Sequence, residues 1–185
     1  MIITISGAPG SGKSTIAKKL AEKLDWQRYY IGGLRREAAK KRGMTLAEYN
    51  KLGETDPSTD LEVDRYQEEL GKTHNNIIVE GRTSWHFIPH SLKIYIDVDL
   101  KIGAQRIFKE LQDDKSRNEN NNLHTLDSVI KNLQERIQCD KRRYKKYFKI
   151  DVYNTKNYDF ILDTSNLNRT QAFKAVYKFV KSQLK

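Results

Sequence analysis

The tightest constraint on this chain lies in its first fifteen residues. Met1–Ser6 is a short apolar run with strand character. Gly7-Ala8-Pro9-Gly10-Ser11-Gly12-Lys13-Ser14 follows at once, and Thr15–Leu24 has helical periodicity. This is the pattern G-x-x-x-x-G-K-[ST] in the order strand, loop, helix, the context that gives the pattern its meaning. Gly7, Gly10 and Gly12 allow backbone angles and close approaches that a Cβ would forbid. The N–H groups from Ala8 and Ser11 through Thr15 can then converge on phosphate oxygens, with the positive end of the helix behind them. Lys13 can reach the outer phosphates and the Ser14 hydroxyl can ligate Mg²⁺. The chain is therefore expected to bind a nucleoside triphosphate. What it does with the phosphate must be read further along.

A chain of 185 residues makes one domain with a full core. A single cysteine, Cys139, excludes an internal disulfide, and a reducing cytoplasm is the expected setting. The apolar run Met1–Ile5 is too short for a leader, and no stretch has the apolar length of a membrane span. The formal net charge of +10 raises nucleic acid as a partner. Much of that charge sits in helical runs such as Lys141-Arg142-Arg143, and no nucleic-acid-binding signature accompanies it. A pocket holding two phosphorylated substrates explains the surplus as well.

Ile16, Leu20, Ala21 and Leu24 share one face of the first helix. Trp26–Ile31 reads as a second strand ended by Gly32-Gly33, and Leu34–Arg42 as a helix. Thr45-Leu46-Ala47-Glu48 is a capping box opening a short helix. Asp56-Pro57 opens another, running to about Leu70. These two helices interrupt the β-α-β rhythm as an insertion. Strands follow at 76–79, 92–98 and 158–162. Between them lie a helix over about 101–111, a polar asparagine-rich loop over 112–122 and a long polar helix over about 126–148. Asn168 caps a final helix with Ala172, Phe173, Val176, Phe179, Val180 and Leu184 inward. The alternation predicts a parallel five-stranded sheet with helices on both faces, an α/β fold of three layers. Ligands in such sheets sit at the carboxyl ends of the strands, where Gly7, Gly32, Glu80 and Asp97 fall.

Phosphoryl transfer asks a protein for donors that hold two phosphates in line, and for charge on the transferring group. The arginines are the next feature to read. Arg36 lies early in the helix after the second strand, and Arg82 ends the third strand beside Glu80. Arg106 follows the fourth. Arg136 and Arg143 lie two helical turns apart on the long polar helix and face the same way.

With these residues in place the chain resembles the nucleoside monophosphate kinases, most closely the short cytidylate kinases of archaeal type, P-loop NTPases in fold. The resemblance runs through Arg36-Glu37, Arg42-Gly43-Met44, Asp56-Pro57, Asp64-Arg65, Glu80-Gly81-Arg82, Arg106-Ile107, Glu135-Arg136, Arg143-Tyr144 and Tyr158-Asp159. It implies a single domain over 1–185, with a core (1–44, 72–111 and 149–185), an NMP-binding insertion over about 45–71 and a lid over about 112–148. It implies Arg36 and Arg82 on the acceptor phosphate, with Asp64 and Arg65 as base contacts. Glu80 would be a Mg²⁺-water acceptor or a partner of the loop, and Arg106 would pack on the donor base. Arg136 and Arg143 would act as lid arginines, catalytic together with Lys13 and Arg82. ATP is the implied donor, CMP or dCMP the acceptor, Mg²⁺ the cofactor, and a monomer the expected form, with neither nucleic acid nor membrane as partner. Gly33 and Glu110 depart from the pattern, the second where a phosphate-facing arginine is common.

Other readings stay open at this stage. Arg82 can pair with a nearby carboxylate instead, and Tyr29, Tyr30, Trp85 and His86 fit a base pocket or the core. Another nucleoside monophosphate such as AMP, or a small metabolite hydroxyl, is an alternative acceptor. The hydroxyl would need a base where Gly32-Gly33 stands. The charge also leaves a nucleotide-dependent RNA-associated protein open.

Overall fold

The computed structural model describes residues 1–113 and 123–184. Five parallel strands are ordered β2-β3-β1-β4-β5: β1 (Ile2–Gly7), β2 (Gln27–Tyr30), β3 (Ile77–Glu80), β4 (Leu92–Asp97) and β5 (Phe160–Asp163). The helices are α1 (Lys13–Leu24), α2 (Ile31–Lys41), α3 (Leu46–Leu52), α4 (Ser58–Thr73), the one-turn α5 (Ser84–Phe87), α6 (Leu100–Asp113), α7 (Leu126–Phe148) and α8 (Arg169–Gln183).

Every residue of β1 is buried, as a central strand covered on both faces requires. Successive side chains point to opposite faces. Ile3 and Ile5, with Ile78, Ile94 and Ile96, pack on Ile16 and Leu20 of α1 and Val176 and Val180 of α8. Ile2, Ile77 and Val79 pack on the other face against Ile31, Leu70 and Ile88. A separate cluster of Ala104, Ile107, Val129 and Leu133 joins α6 to α7.

The chain leaves β1 toward β2 on one side and later crosses from β3 to β4 on the other. The crevice where the connections part lies between the carboxyl ends of β1 and β3. Those ends carry the glycine loop and Glu80-Gly81-Arg82.

Several expectations need correction. Gly32-Gly33 does not end β2. The chain passes from Tyr30 straight into α2, and both glycines sit in its first turn. Helix α1 begins at Lys13 rather than Thr15. Gln112 and Asp113 continue α6, because the apolar face built from Ala104 and Ile107 extends to Leu111 against α7. The rest of the expected asparagine-rich loop, 114–122, lies outside the described residues. Leu184 is exposed beyond the end of α8. The box at Thr45 forms as predicted, and the predicted cap Asn168 proves to be a box as well, each with reciprocal side-chain and backbone bonds.

Leu133 is 2 % exposed in the α6–α7 cluster. Leu133→Ala should destabilise the protein by about 2–5 kcal/mol, read by denaturant unfolding. A loss below ~1 kcal/mol would mean that α7 is not anchored there.

Candidate functional site

The glycine loop is braced from behind. Gly10 has φ +78°, and a Cβ there would lie 2.3 Å from the carbonyl oxygen of Gly103 on α6. Two glycines thus meet where the loop crosses the start of that helix. Thr164 adds a second brace, its hydroxyl donating to the carbonyls of Ser11 and Asp97, 3.0 Å each. Arg106 completes the clamp, with Nη2 donating to the Thr164 carbonyl at 2.8 Å and Nη1 to the Thr164 hydroxyl at 3.1 Å. The half-buried Arg106 therefore sits at the junction of loop, α6 and the segment after β5.

Glu80 is 1 % exposed at the end of β3. Its Oε1 accepts the Ser14 hydroxyl at 2.5 Å. Its Oε2 accepts both Nη2 and Nε of Arg28, at 2.6 and 3.1 Å. Arg28 was not singled out from the sequence. The register Tyr30↔Glu80 puts Arg28 two residues back on the same face of the adjacent strand, and that register is not legible from one chain.

Lys13 stands at the centre of the site. Burial, then the positive charge of Arg82, push its ammonium down from 10.5 to about 7, and Arg136 and Arg36 push the same way. Glu80 opposes them. A shift of this kind reports convergence: Arg36 from α2, Arg82 from the end of β3 and Arg136 from α7 all act on the lysine of the loop. The structure thus gathers four of the cations expected to handle phosphate at one crevice.

Arg82 is oriented by a buried carboxylate on α7. Its Nε lies 2.9 Å from Oδ2 of Asp140, which also accepts the Tyr153 hydroxyl at 2.9 Å. Burial alone would raise the Asp140 carboxyl, but Arg82, Arg143 and Arg136 outweigh it and hold the group below its usual value. Asp140 lies four residues after Arg136 and three before Arg143, a spacing that shares one helix face and was open to detection in the sequence.

Arg143 is placed differently from Arg136. It is 1 % exposed, its Nε 3.2 Å from Asp60 and its Nη2 3.2 Å from Asp140 and 2.7 Å from the Tyr144 hydroxyl. Its Nη1 donates to the Asn50 carbonyl at 3.3 Å. Arg35 joins the same buried cluster through Asp60 and Asn50. Around it α7 caps the end of α3. Arg142 binds the Glu54 carboxylate through two bonds, 2.9 and 2.7 Å, and Lys146 and Tyr147 donate to the Glu54 carbonyl.

Asp64 is buried on α4 and accepts from Gln67, whose other amide atom accepts the Ser84 hydroxyl. Burial and the neighbouring Asp60 push its carboxyl up to about 7. Arg65 is exposed one step round the helix, so the two expected base contacts do not face the same space. Trp85 and His86 line a separate groove with Pro89, Lys93 and Tyr158. No helix among the described residues is long and apolar enough to cross a membrane.

The chain is similar to known proteins along most of its length. A family model described as "Cytidylate kinase-like family" matches residues 2–166. The cytidylate kinase of Methanocella arvoryzae is 38% identical over 180 residues, covering 97% of each chain. That of Methanocaldococcus jannaschii is 36% identical over 181 residues, covering 95% of each. Among solved structures, an uncharacterized protein from Eubacterium ventriosum superposes with a TM-score of 0.71 at 16% identity, covering 98% of this chain and 99% of its own. A shikimate kinase from Bacteroides thetaiotaomicron gives 0.64 at 13% identity, covering 100% and 99%. At such identities the structures speak for the fold alone.

The crowding around Lys13 has a measurable consequence. A polyphosphate in the loop would favour the charged ammonium and lift its pKa back toward 10.5. Between those limits the free protein is largely neutral at Lys13 and the bound form charged, so binding takes up a proton. With ATP as probe, calorimetry at pH 8–9 in buffers of different ionisation enthalpy should show uptake approaching one proton. Affinity should fall by up to about tenfold per pH unit over that window. Uptake near zero with a flat affinity profile would mean that Lys13 is already charged in the free protein.

Proposed function

Since the chain belongs to the cytidylate kinase-like family, we propose that it transfers the terminal phosphoryl group of ATP to CMP or dCMP, giving ADP and the nucleoside diphosphate. The observation that carries this beyond the family is the convergence of Arg36, Arg82 and Arg136 on Lys13. The loop and its lysine suffice for one polyphosphate. Arginines arriving from three further elements provide for a second phosphate opposite the first.

Ser14 and Glu80 fit Mg²⁺. Ser14 gives its proton to a buried carboxylate and keeps oxygen lone pairs for a hard cation, and Glu80 stands behind it to accept from a coordinated water. Among the described residues no group of three or more His, Cys, Asp or Glu could hold a metal. When bound beside Ser14 and Glu80, Mg²⁺ would supply charge neutralisation on the donor phosphates.

The chain's own residues do the positioning. The loop N–H groups and Lys13 hold the donor phosphates, and Arg106 covers the donor base beside Thr164. Arg36 and Arg82 grip the acceptor phosphate from two sides. One acceptor oxygen then attacks the terminal phosphorus as the bond from that phosphorus to the bridging oxygen breaks, and ADP leaves with the electron pair. The attacking oxygen is already anionic, so no general base is needed. Arg136 stabilises charge on the transferring group. Residues 45–71 form the acceptor insertion, within which Asp64 is the base contact the burial favours. Arg143 ties the insertion to α7 rather than touching the transferred group.

A coupled assay of ADP release with ATP and Mg²⁺ tests this against CMP, dCMP, UMP, AMP and shikimate. CMP or dCMP should give the highest kcat/KM. Arg136→Ala should lower kcat by roughly 10²–10³-fold, the scale set by loss of one charge-stabilising donor. Turnover with shikimate but with no nucleotide acceptor would overturn the proposal.

A further inference from the structure

We propose that Tyr30 is a positioning residue that aims Arg36 at the acceptor phosphate and joins the acceptor half of the site to the glycine loop. The geometry begins at the passage from β2 into α2. Tyr30 is the last residue of the strand, and the helix starts at the next residue with no loop between. Its ring lies on the first turn of α2. A Cβ at Gly33 would stand 2.8 Å from the ring's Cδ1, and one at Gly32 would stand 3.0 Å from its Cε2. The two glycines are therefore a seat for an aromatic ring. That gives a physical reason for Gly33, where the chain departs from the family's pattern.

From this seat the ring touches both halves of the site. The Tyr30 hydroxyl accepts a hydrogen bond from Nη1 of Arg36, which also donates to the Gly32 carbonyl at 3.4 Å. The Arg28 guanidinium lies 5.2 Å from the ring centroid, within cation–π range. Arg28 is in turn held by both its donors on Glu80, and Glu80 holds Ser14. A continuous series of contacts thus runs Ser14–Glu80–Arg28–Tyr30–Arg36. Without its neighbours the Arg36 side chain would have four flexible torsions and no fixed direction. The Tyr30 hydroxyl, with the Gly32 carbonyl, restricts that direction, and the ring is left 38% exposed.

Taking Arg36 as an acceptor-phosphate ligand depends on the proposed function, so the test reads binding and turnover separately. Tyr30→Phe keeps the ring and removes only the hydroxyl. The dissociation constant and KM for CMP should each rise about tenfold, the worth of one hydrogen bond to a charged donor. The KM for ATP and the thermal midpoint should not move. Gly33→Ala, which keeps the tyrosine but displaces its ring and with it the hydroxyl, should raise the same two constants. Arg36→Ala should raise them about a hundredfold. The double variant Tyr30→Phe/Arg36→Ala should be no worse than Arg36→Ala, since Tyr30 acts through that arginine. An additive double variant would mean that Tyr30 meets the acceptor by itself, and unchanged CMP constants in Tyr30→Phe would mean that the hydroxyl does no positioning; either overturns the proposal. Failure of the unaltered protein to bind or phosphorylate CMP would be a different result. It would remove the acceptor role of Arg36, and the role of Tyr30 with it.

Discussion

The constraint on which this molecule turns is the repulsion among cations brought together before any phosphate arrives. Lys13, Arg36, Arg82 and Arg136 converge on one crevice, and the lysine gives way first because only it can lose its proton in the range proteins meet. The arginines stay charged and must be held by something else. Buried carboxylates do this. Glu80 holds Arg28 beside the loop, Asp140 holds Arg82 and Arg143, and Asp60 holds Arg35 and Arg143. Each acid is almost fully enclosed, and such an ion pair gains little net stability from its own attraction. What it provides is direction: an arginine fixed on one side by a carboxylate presents its remaining donors on the other.

This division explains why the acidic residues matter as much as the basic ones. Glu80 touches the loop through Ser14 and the edge strand through Arg28, so the donor side is set by a residue of the neighbouring strand. Asp140 performs the matching task across the crevice. Tyr153 donates to its Oδ2 and Arg143 to its Oδ1, which lets a carboxylate sit in a dry site with a donor on each oxygen. The fold makes both placements natural, because β1 and β3 are adjacent and their ends open at the point where the connections diverge.

The sequence disclosed the sheet, its helices and the loop because each rests on local signals: glycine spacing, apolar period and capping boxes. Position after strands and resemblance pointed to Arg36, Arg82 and Arg136, which the structure brings to Lys13, and to Arg106, which it sets on Thr164. What the sequence could not disclose depended on register and on depth. Arg28 looked like any arginine of an edge strand until the pairing Tyr30↔Glu80 set it beside Glu80. Gly32-Gly33 looked like a strand terminator because a double glycine usually marks a break. Only the ring lying on them shows why helix begins there instead. Leu184 matched the apolar period of α8 but falls past the last turn, where the sheet no longer covers it.

Depth also separates the two arginines of α7, which the sequence treats alike. Seven residues are two turns, so Arg136 and Arg143 share a face, but they lie about 10 Å apart along the axis. A terminal phosphate is smaller than that, and both guanidiniums cannot centre on it. Asp140 lies between them and interacts with both, so the helix carries a charge sequence of plus, minus, plus along one face. Arg136 at one end acts on Lys13, while Arg143 at the other is bound to Asp60 and the Asn50 carbonyl of the insertion. The same helix is fastened to α6 through Val129 and Leu133, and α6 carries Arg106 against the loop. Helix α7 therefore has one end fastened to α6 and the other to α3 and α4, with Arg136 acting on Lys13 in between.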